Sequence, residues 1–312
     1  MDSCGKREHR SQASSDGGLS RRQFITRSAG VVGLAAVLAS PLLSISGQKA
    51  AASQDARPDG KKNRAWCMVI DLKKCEGCVT IDQPPQCTQA CIQGHFAPKG
   101  QEWIQVYQHE TSTNGHYFMP TPCFQCENAP CVNVCPVGAT YQTAEGIVLI
   151  DHKRCIGCRL CMAACPYQRR FFNWATPELP PEAAFAEYSP EYPVPAVKGT
   201  VIKCMFCAHY LANGRLPYCV AGCPMKALYI GDLSEDIATD GQKIVKLSEF
   251  IAANDGYRYK EDLGTQPRVW YLPGHGQAFG RKPDEGVLKP VEWAWGGQGF
   301  DRQVGIWPQE GR

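Results

Sequence analysis

The run Cys155-Ile156-Gly157-Cys158-Arg159-Leu160-Cys161-Met162-Ala163-Ala164-Cys165-Pro166 decides how this chain reads. Its spacing, C-x₂-C-x₂-C-x₃-C-P, is one that holds iron–sulfur cubanes. Three thiolates two residues apart curl around three iron corners of one cubane. The fourth lies on the following turn, where proline limits the backbone, and points away toward a second cluster. Gly157 suits the close loop, because backbone packed against an inorganic core leaves little room for a Cβ. Zinc and disulfides also use cysteine. Zinc ligands, however, come as two separated pairs rather than four at this spacing. Disulfide scaffolds this rich in cysteine are usually short chains.

The remaining cysteines repeat the theme. Of 18 cysteines in 312 residues, sixteen fall into four groups of four. The first is Cys75, Cys78, Cys87 and Cys91, spaced C-x₂-C-x₈-C-x₃-C, with Pro84-Pro85 in the enlarged loop and no proline after Cys91. The second is Cys123, Cys126, Cys131 and Cys135, spaced C-x₂-C-x₄-C-x₃-C-P. The fourth is Cys204, Cys207, Cys219 and Cys223, spaced C-x₂-C-x₁₁-C-x₃-C and followed by Pro224. Cys4 and Cys67 are left over; Cys67 lies on an expected buried strand, where a thiol packs as a small apolar group.

A formal charge of +3 misleads about the body of the chain. Residues 1–52 hold seven of the 33 Lys/Arg and three of the 30 Asp/Glu, which leaves 26 basic and 27 acidic groups elsewhere. A near-neutral body argues against nucleic acid as the main partner. The amino end reads as an address. Ser20-Arg21-Arg22-Gln23-Phe24-Ile25-Thr26 looks like the twin-arginine export motif, followed by a mild apolar stretch from Ala29 to about Ile45. Lys49 and Ala50-Ala51-Ala52 complete a basic c-region with small residues for cleavage. An uncleaved membrane anchor is the competing reading, but the stretch is short and broken by Pro41. No later apolar run is long enough to cross a bilayer.

Residues 53–64 read as a polar linker. Strands are expected at Trp66–Leu72, Trp103–Gln108, Gly146–Asp151, Val201–Ile202 and Arg268–Leu272, with a short helix over Lys246–Asn254. The proline-rich stretch Pro177–Pro195 reads either as an ordered surface loop or partner contact, or as flexible filler. The tail beyond Pro273 is dense in Gly, Trp and Pro and suits packing on another surface.

Four cysteine groups in this order resemble the iron–sulfur subunit of the dimethyl-sulfoxide-reductase family of molybdenum oxidoreductases, including its tetrathionate- and polysulfide-reductase branches. The likeness covers about Trp66 to Asp232 and is most specific at Pro122-Cys123 through Cys135-Pro136 and Cys155 through Pro166. It implies an α+β fold of two nested ferredoxin-like units, each a bis-[4Fe–4S] module, with loop-rich insertions and an irregular C-terminal extension. The implied organisation is a signal peptide at 1–52, a linker at 53–64 and a four-cluster domain at 65–232. Within it an inner unit spans about 117–172, an outer unit spans about 65–116 and 200–232, and an extension at 233–312 contacts a partner. All sixteen positions are cysteine, so the resemblance implies four [4Fe–4S] clusters. If the fourth cysteine of each group reaches across, the sets are Cys75, Cys78, Cys87 and Cys223; Cys123, Cys126, Cys131 and Cys165; Cys155, Cys158, Cys161 and Cys135; and Cys204, Cys207, Cys219 and Cys91. The alternative has each group holding its own cluster.

Lys153, Arg154, Arg159, Arg169 and Arg170 crowd the third group. They read either as tuning one cluster's potential upward, Arg159 first among them, or as plain neutralisation of buried negative charge. No phosphate loop, nucleophile–base motif or pterin signature stands out, and the seven histidines lack haem or zinc spacing. The function implied is electron transfer without catalysis of its own. It would run between an integral membrane quinone-binding subunit and a molybdopterin-containing catalytic subunit, with the chain exported to the periplasm and membrane-associated through its partner. A free periplasmic polyferredoxin-type carrier, the iron–sulfur subunit of a hydrogenase, formate dehydrogenase or quinol-oxidising complex, and a zinc-stabilised interaction module are the alternatives. The proline-rich stretch and Trp-rich tail favour permanent assembly, since a shuttle needs only a small polar docking face. The export expectation has a direct test: replacing Arg21 and Arg22 together by Lys should leave cluster-loaded precursor in the cytoplasm. Full yield of the double variant in the periplasmic fraction would refute it.

Overall fold

The computed structural model describes residues 63–110, 116–186, 189, 191–275 and 277, and the backbone of 289–290. The expected export signal with Cys4, nearly all of the linker and most of the Trp-rich tail lie outside the described residues. Strands are β1 (Trp66–Asp71), β2 (Gln105–Glu110), β3 (His116–Thr121), β4 (Thr140–Gln142), β5 (Val148–Ile150), β6 (Phe171–Phe172) and β7 (Val201–Ile202). They continue with β8 (Leu228–Asp232), β9 (Ile237–Thr239), β10 (Ile244–Lys246), β11 (Val269–Leu272) and β12 (Lys289–Pro290). Helices are α1 (Gln86–His95), α2 (Pro130–Asn133), α3 (Leu160–Ala163), α4 (Ala208–Leu211), α5 (Tyr218–Ala221) and α6 (Leu247–Ala253). This mixed content agrees with the α+β expectation.

The largest sheet runs β10-β9-β8-β1-β11, antiparallel except for the parallel β1–β11 edge. Strand β1 is a continuous apolar run because both its faces are covered. Met68 and Ile70 face the large core that holds the cysteine groups, while Cys67 and Val69 face Leu247, Tyr229 and Ala238. The strand expected at 268–272 and the helix expected at 246–254 are both present, and the sheet runs past residue 232. Strands β9, β10 and β11, all beyond that point, complete it. Small antiparallel pairs, β4–β5 and β6–β7, flank the second and third groups, and β2–β3 pairs with β12.

The cysteine groups share one local plan. In each, a C-x-x-C loop leads to a helix whose second residue is the third cysteine: Cys87, Cys131, Cys161 and Cys219. Helices α2, α3 and α5 last one turn, and α1 alone extends to ten residues. Helix α1 packs on α5 and α2 packs on α3, so first meets fourth and second meets third. The α1–α5 approach is close enough to require glycine on both sides. A Cβ at Gly222 would lie 2.6 Å from Ala90 Cβ, and one at Gly94 would lie 2.4 Å from the Tyr218 ring.

Within the proline-rich stretch, Pro181–Phe185 forms a 3₁₀ turn with Phe185 90 % exposed. Its far end is anchored: Tyr192 is buried edge-on to His95, and Tyr141 Oη donates to Glu191 at 2.8 Å. Among the described residues no helix is long and apolar enough to cross a membrane. The helix contact yields a stability prediction. Gly222→Val should lower the unfolding free energy by about 1–3 kcal/mol through overpacking, read as a lower denaturation midpoint, with Gly222→Ala less affected; an unchanged midpoint for both would show that α1 and α5 do not need this close approach.

Candidate metal centres

Sharp loops place the first two thiols of every group. The third residue of each C-x-x-C has positive φ: Gly77 (+60°), Gln125 (+47°), Gly157 (+69°) and Phe206 (+59°). Glycine adopts this region freely, and other residues do so at a cost. At Gly157 a Cβ would meet the Gly199 carbonyl oxygen at 2.0 Å. Gln125 and Phe206 occupy the same position because their buried side chains hold them there. The Gln125 amide donates to the Cys204 carbonyl at 2.9 Å and accepts from Val148 N–H at 2.8 Å. Glycine marked only two of these four loops in the sequence. A second signal, also passed over, is the repeat Ile70-Asp71-x-Lys73-Lys74-Cys75 and Ile150-Asp151-x-Lys153-Arg154-Cys155. In both copies the Asp Oδ1 accepts the backbone N–H two residues on, at 3.1 and 2.9 Å, and fixes the approach to the first cysteine.

The thiols gather in sets that draw on two groups each. Cys135, Cys155, Cys158 and Cys161 line one small cavity. Cys75, Cys78, Cys87 and Cys223 line another. Burial pushes the Cys126 thiol up to about 12, and the thiols that add to this are Cys123, Cys131 and Cys165. Burial likewise raises Cys219, whose thiol neighbours are Cys207, Cys91, Cys204 and, from the adjoining set, Cys87. All seventeen described cysteines are free. Among the described residues no group of three or more His, Cys, Asp or Glu is placed to hold a single metal ion. The four-thiol sets, which do not converge on a single point, are a donor set that fits a multi-iron core.

Backbone amides aim at the sulfurs. Gln86 N–H reaches Cys78 Sγ at 3.4 Å, Ala139 N–H reaches Cys135 Sγ at 3.2 Å, Phe206 N–H reaches Cys204 Sγ at 3.4 Å and Ala227 N–H reaches Cys223 Sγ at 3.4 Å. Such donors favour the thiolate. Their effect is clearest at Cys135. Burial pushes that thiol up, but the N–H groups of Thr140, Val137 and Ala139 outweigh it and hold it below its ordinary value. Elsewhere desolvation wins, as at Cys75, pushed up to about 12, and at Cys87 and Cys91.

The basic residues around the third group separate in space. Lys153, Arg154 and Arg159 are exposed, and Arg159 lies over the Phe172 and Trp174 rings at 5.2 and 5.0 Å. Arg169 is buried and donates to Tyr107 Oη at 2.7 Å and the Tyr167 carbonyl at 3.0 Å. Arg170 alone of the five is buried against cysteine thiols, those of Cys131 and Cys161. Lys203 is buried beside Cys131 and Cys204 and was passed over in the sequence. So was His95, whose Nδ1 lies 3.0 Å from the Cys91 carbonyl and whose Nε2 lies 3.5 Å from Cys207 Sγ. Burial and neighbouring His209 pull His95 down to about 3, so it is neutral, with its proton on Nδ1 toward the carbonyl. Cys67 is fully buried, 0 % exposed, and burial raises its thiol strongly, as the packing reading expects.

Residues 115–180, which contain the second and third groups, match the 4Fe-4S dicluster domain. A selenate reductase subunit of Mesobacillus selenatarsenatis is 43 % identical over 221 residues, covering 66 % of this chain and 71 % of that protein. A tetrathionate reductase subunit of Salmonella typhimurium is 34 % identical over 242 residues, covering 76 % and 83 %. The iron-sulfur cluster-binding subunit of menaquinone reductase from Nitratidesulfovibrio vulgaris is 36 % identical over 242 residues, covering 66 % and 88 %. The fold and the thiol sets thus define an iron–sulfur protein of the dicluster ferredoxin type. The chain belongs to the iron–sulfur subunits of the dimethyl-sulfoxide-reductase family of molybdenum oxidoreductases.

Proposed function

We propose that this chain is the non-catalytic electron-transfer subunit of an exported respiratory complex, holding four [4Fe–4S] clusters in a row. A bound cubane supplies one-electron redox chemistry; the chain supplies thiolates, amide donors and a low-dielectric shell. The observation that carries the reading is the serial arrangement of the sets. Cys161 of the third set neighbours Cys131 of the second, and Cys204 of the fourth neighbours Cys123 of the second. Cys91 and Cys219 of the fourth neighbour Cys87 of the first. The order is therefore third, second, fourth, first. Each terminal set lines one of the cavities above, and among the described cysteines the single exposed one, Cys158, is in the third set. A row of neighbouring sites that reaches the surface at Cys158 suits a relay to a partner.

Crossed ligation follows from the same sets: Cys75, Cys78, Cys87 with Cys223; Cys123, Cys126, Cys131 with Cys165; Cys155, Cys158, Cys161 with Cys135; Cys204, Cys207, Cys219 with Cys91. The α1–α5 and α2–α3 contacts support two ferredoxin-like units, the inner nested within the outer. The relatives' names, subunits of selenate, tetrathionate and menaquinone reductases, support assembly with a catalytic subunit; the reading makes that subunit molybdopterin-containing and places an integral membrane quinone-binding subunit at the other end. Export by the twin-arginine route to the periplasm completes the reading.

Serine substitutions read by paramagnetic resonance after reduction test the ligation. Cys165→Ser and Cys123→Ser should disturb one signal, and Cys135→Ser and Cys155→Ser another. A match of Cys165→Ser with Cys155→Ser would sink the crossed sets and the nested units together. Purification of the full chain from membranes tests the partners. It should bring down a molybdenum-containing subunit and an integral membrane subunit, and deletion of the latter should release the chain. Recovery of the chain alone, unattached to either, would identify a free carrier instead.

A further inference from the structure

Among the described residues, two buried cations that stand beside cysteine thiols have no carboxylate to neutralise them. Arg170 (4 % exposed) and Lys203 (3 % exposed) flank the β6–β7 pair, whose antiparallel register sets Phe171 opposite Ile202. That register brings residues 170 and 203 to the same end of the pair, one against the other. Like charges opposed across a strand pair destabilise it, and withdrawing each from water adds a desolvation penalty. The ion pairs among the described residues, Lys246–Glu249 and Arg258–Glu261, involve neither residue.

What the two cations meet instead is sulfur and carbonyl oxygen. Lys203 Nζ donates to the carbonyls of Val148 and Cys204. Arg170 Nη1 donates to Thr140 Oγ1 at 3.3 Å, while its buried Nη2 has no hydrogen-bond partner. The guanidinium faces the thiols of Cys131, of the second set, and Cys161, of the third, with Cys123 beyond. Lys203 acts on Cys131 of the second set and Cys204 of the fourth. Each cation therefore stands between two neighbouring sites, and the second set is served by both.

We propose that Arg170 and Lys203 are shared counter-charges that raise the potentials of the sites on either side of them, Arg170 acting on the second and third and Lys203 on the second and fourth. This rests on the four-cluster reading. One-electron reduction adds one negative charge and breaks no bond. A fixed cation at short range in a low dielectric stabilises that charge on whichever side receives it. It also offsets repulsion between electrons on adjacent sites. The site with two cations gains most, and the first set, with neither, gains least.

The test is an anaerobic redox titration of the assembled protein, followed by paramagnetic resonance, with iron content measured first. Iron content and the number of signals check the cluster reading, and the midpoints check this inference. Arg170→Gln should lower two midpoints, so that the reduced-to-oxidised ratio at a fixed potential falls about tenfold, or about 59 mV for a one-electron couple. Lys203→Gln should lower two, and one midpoint should respond to both substitutions. Arg170→Lys, which keeps the charge, should recover most of the shift, and Lys153→Gln, at an exposed position, should move nothing. Loaded Gln variants with all four midpoints unchanged overturn the proposal, as does a pair of shifts with no shared site. Failure of both Gln variants to load iron overturns it too, because the charges would then serve assembly and not potential.

Discussion

The packing of short helices in pairs, α1 on α5 and α2 on α3, is the contact on which the rest of the structure depends. Each of these helices carries the third cysteine of its group at its start, and the fourth cysteine follows four residues later. When two such helices meet, the fourth thiol of one lies beside the first three of the other. Spreading one helix pair would therefore open two thiol sets at once. This explains why Gly94 and Gly222 occupy the α1–α5 contact, where any Cβ would force the backbones apart. The strands serve the same end: β1 and β8 lock the first and fourth groups together, and β6 and β7 tie the end of the third group to the start of the fourth.

Electrostatics divide the four sets into unlike environments. Desolvation dominates at the first and fourth sets, raising Cys87, Cys91 and Cys219 well above the ordinary thiol value. At the second and third, burial still raises Cys126, Cys131 and Cys161, with Arg170 working against it at the last two. At Cys135 three amide donors do so without any cation. Amide and cation are not equivalent. An amide dipole acts on the sulfur it touches, whereas a full charge acts on every site within reach. Where two sites stand close, only the full charge links their energies.

Much of this was legible in the sequence, and the gaps have physical causes. Cysteine spacing alone marked out the four groups, and the x₃-C step pointed to crossed sets without excluding a cluster within each group. The enlarged x₈ and x₁₁ intervals hide the shared plan because each inserts a turn before the helix: a 3₁₀ turn at Val79–Ile81 in the first, and α4 with its following loop in the fourth. Glycine marked the left-handed loops at 77 and 157 but not at 125 and 206, where tertiary contacts impose the conformation on Gln and Phe. Strands β4, β9 and β10 are three residues each, too short for alternation to show. Of the basic residues gathered by nearness in sequence to the third group, Arg159 lines that set's cavity and Arg170 meets Cys131 and Cys161. Lys203, thirty-three positions beyond Arg170 and brought beside it by β6–β7 pairing, could not be read from the chain.

The same two cations bear on when the chain can fold. On the four-cluster reading, each loaded site carries net negative charge, and the guanidinium and ammonium between the sites find their counter-charge only then. Without it, two like charges sit together in a core of raised, neutral thiols, and such burial is strongly unfavourable. Closing the β6–β7 pair and charging the second site are thus one event seen from two sides, the coupling expected when a metal site is absent from the unfolded chain. A protein built this way gains its final stability from its cofactors. It would have to be loaded where thiols are kept reduced, before any transfer to an oxidising compartment. The proposed twin-arginine export, a route that carries folded proteins, would meet that requirement, and a route that threads unfolded chains would not.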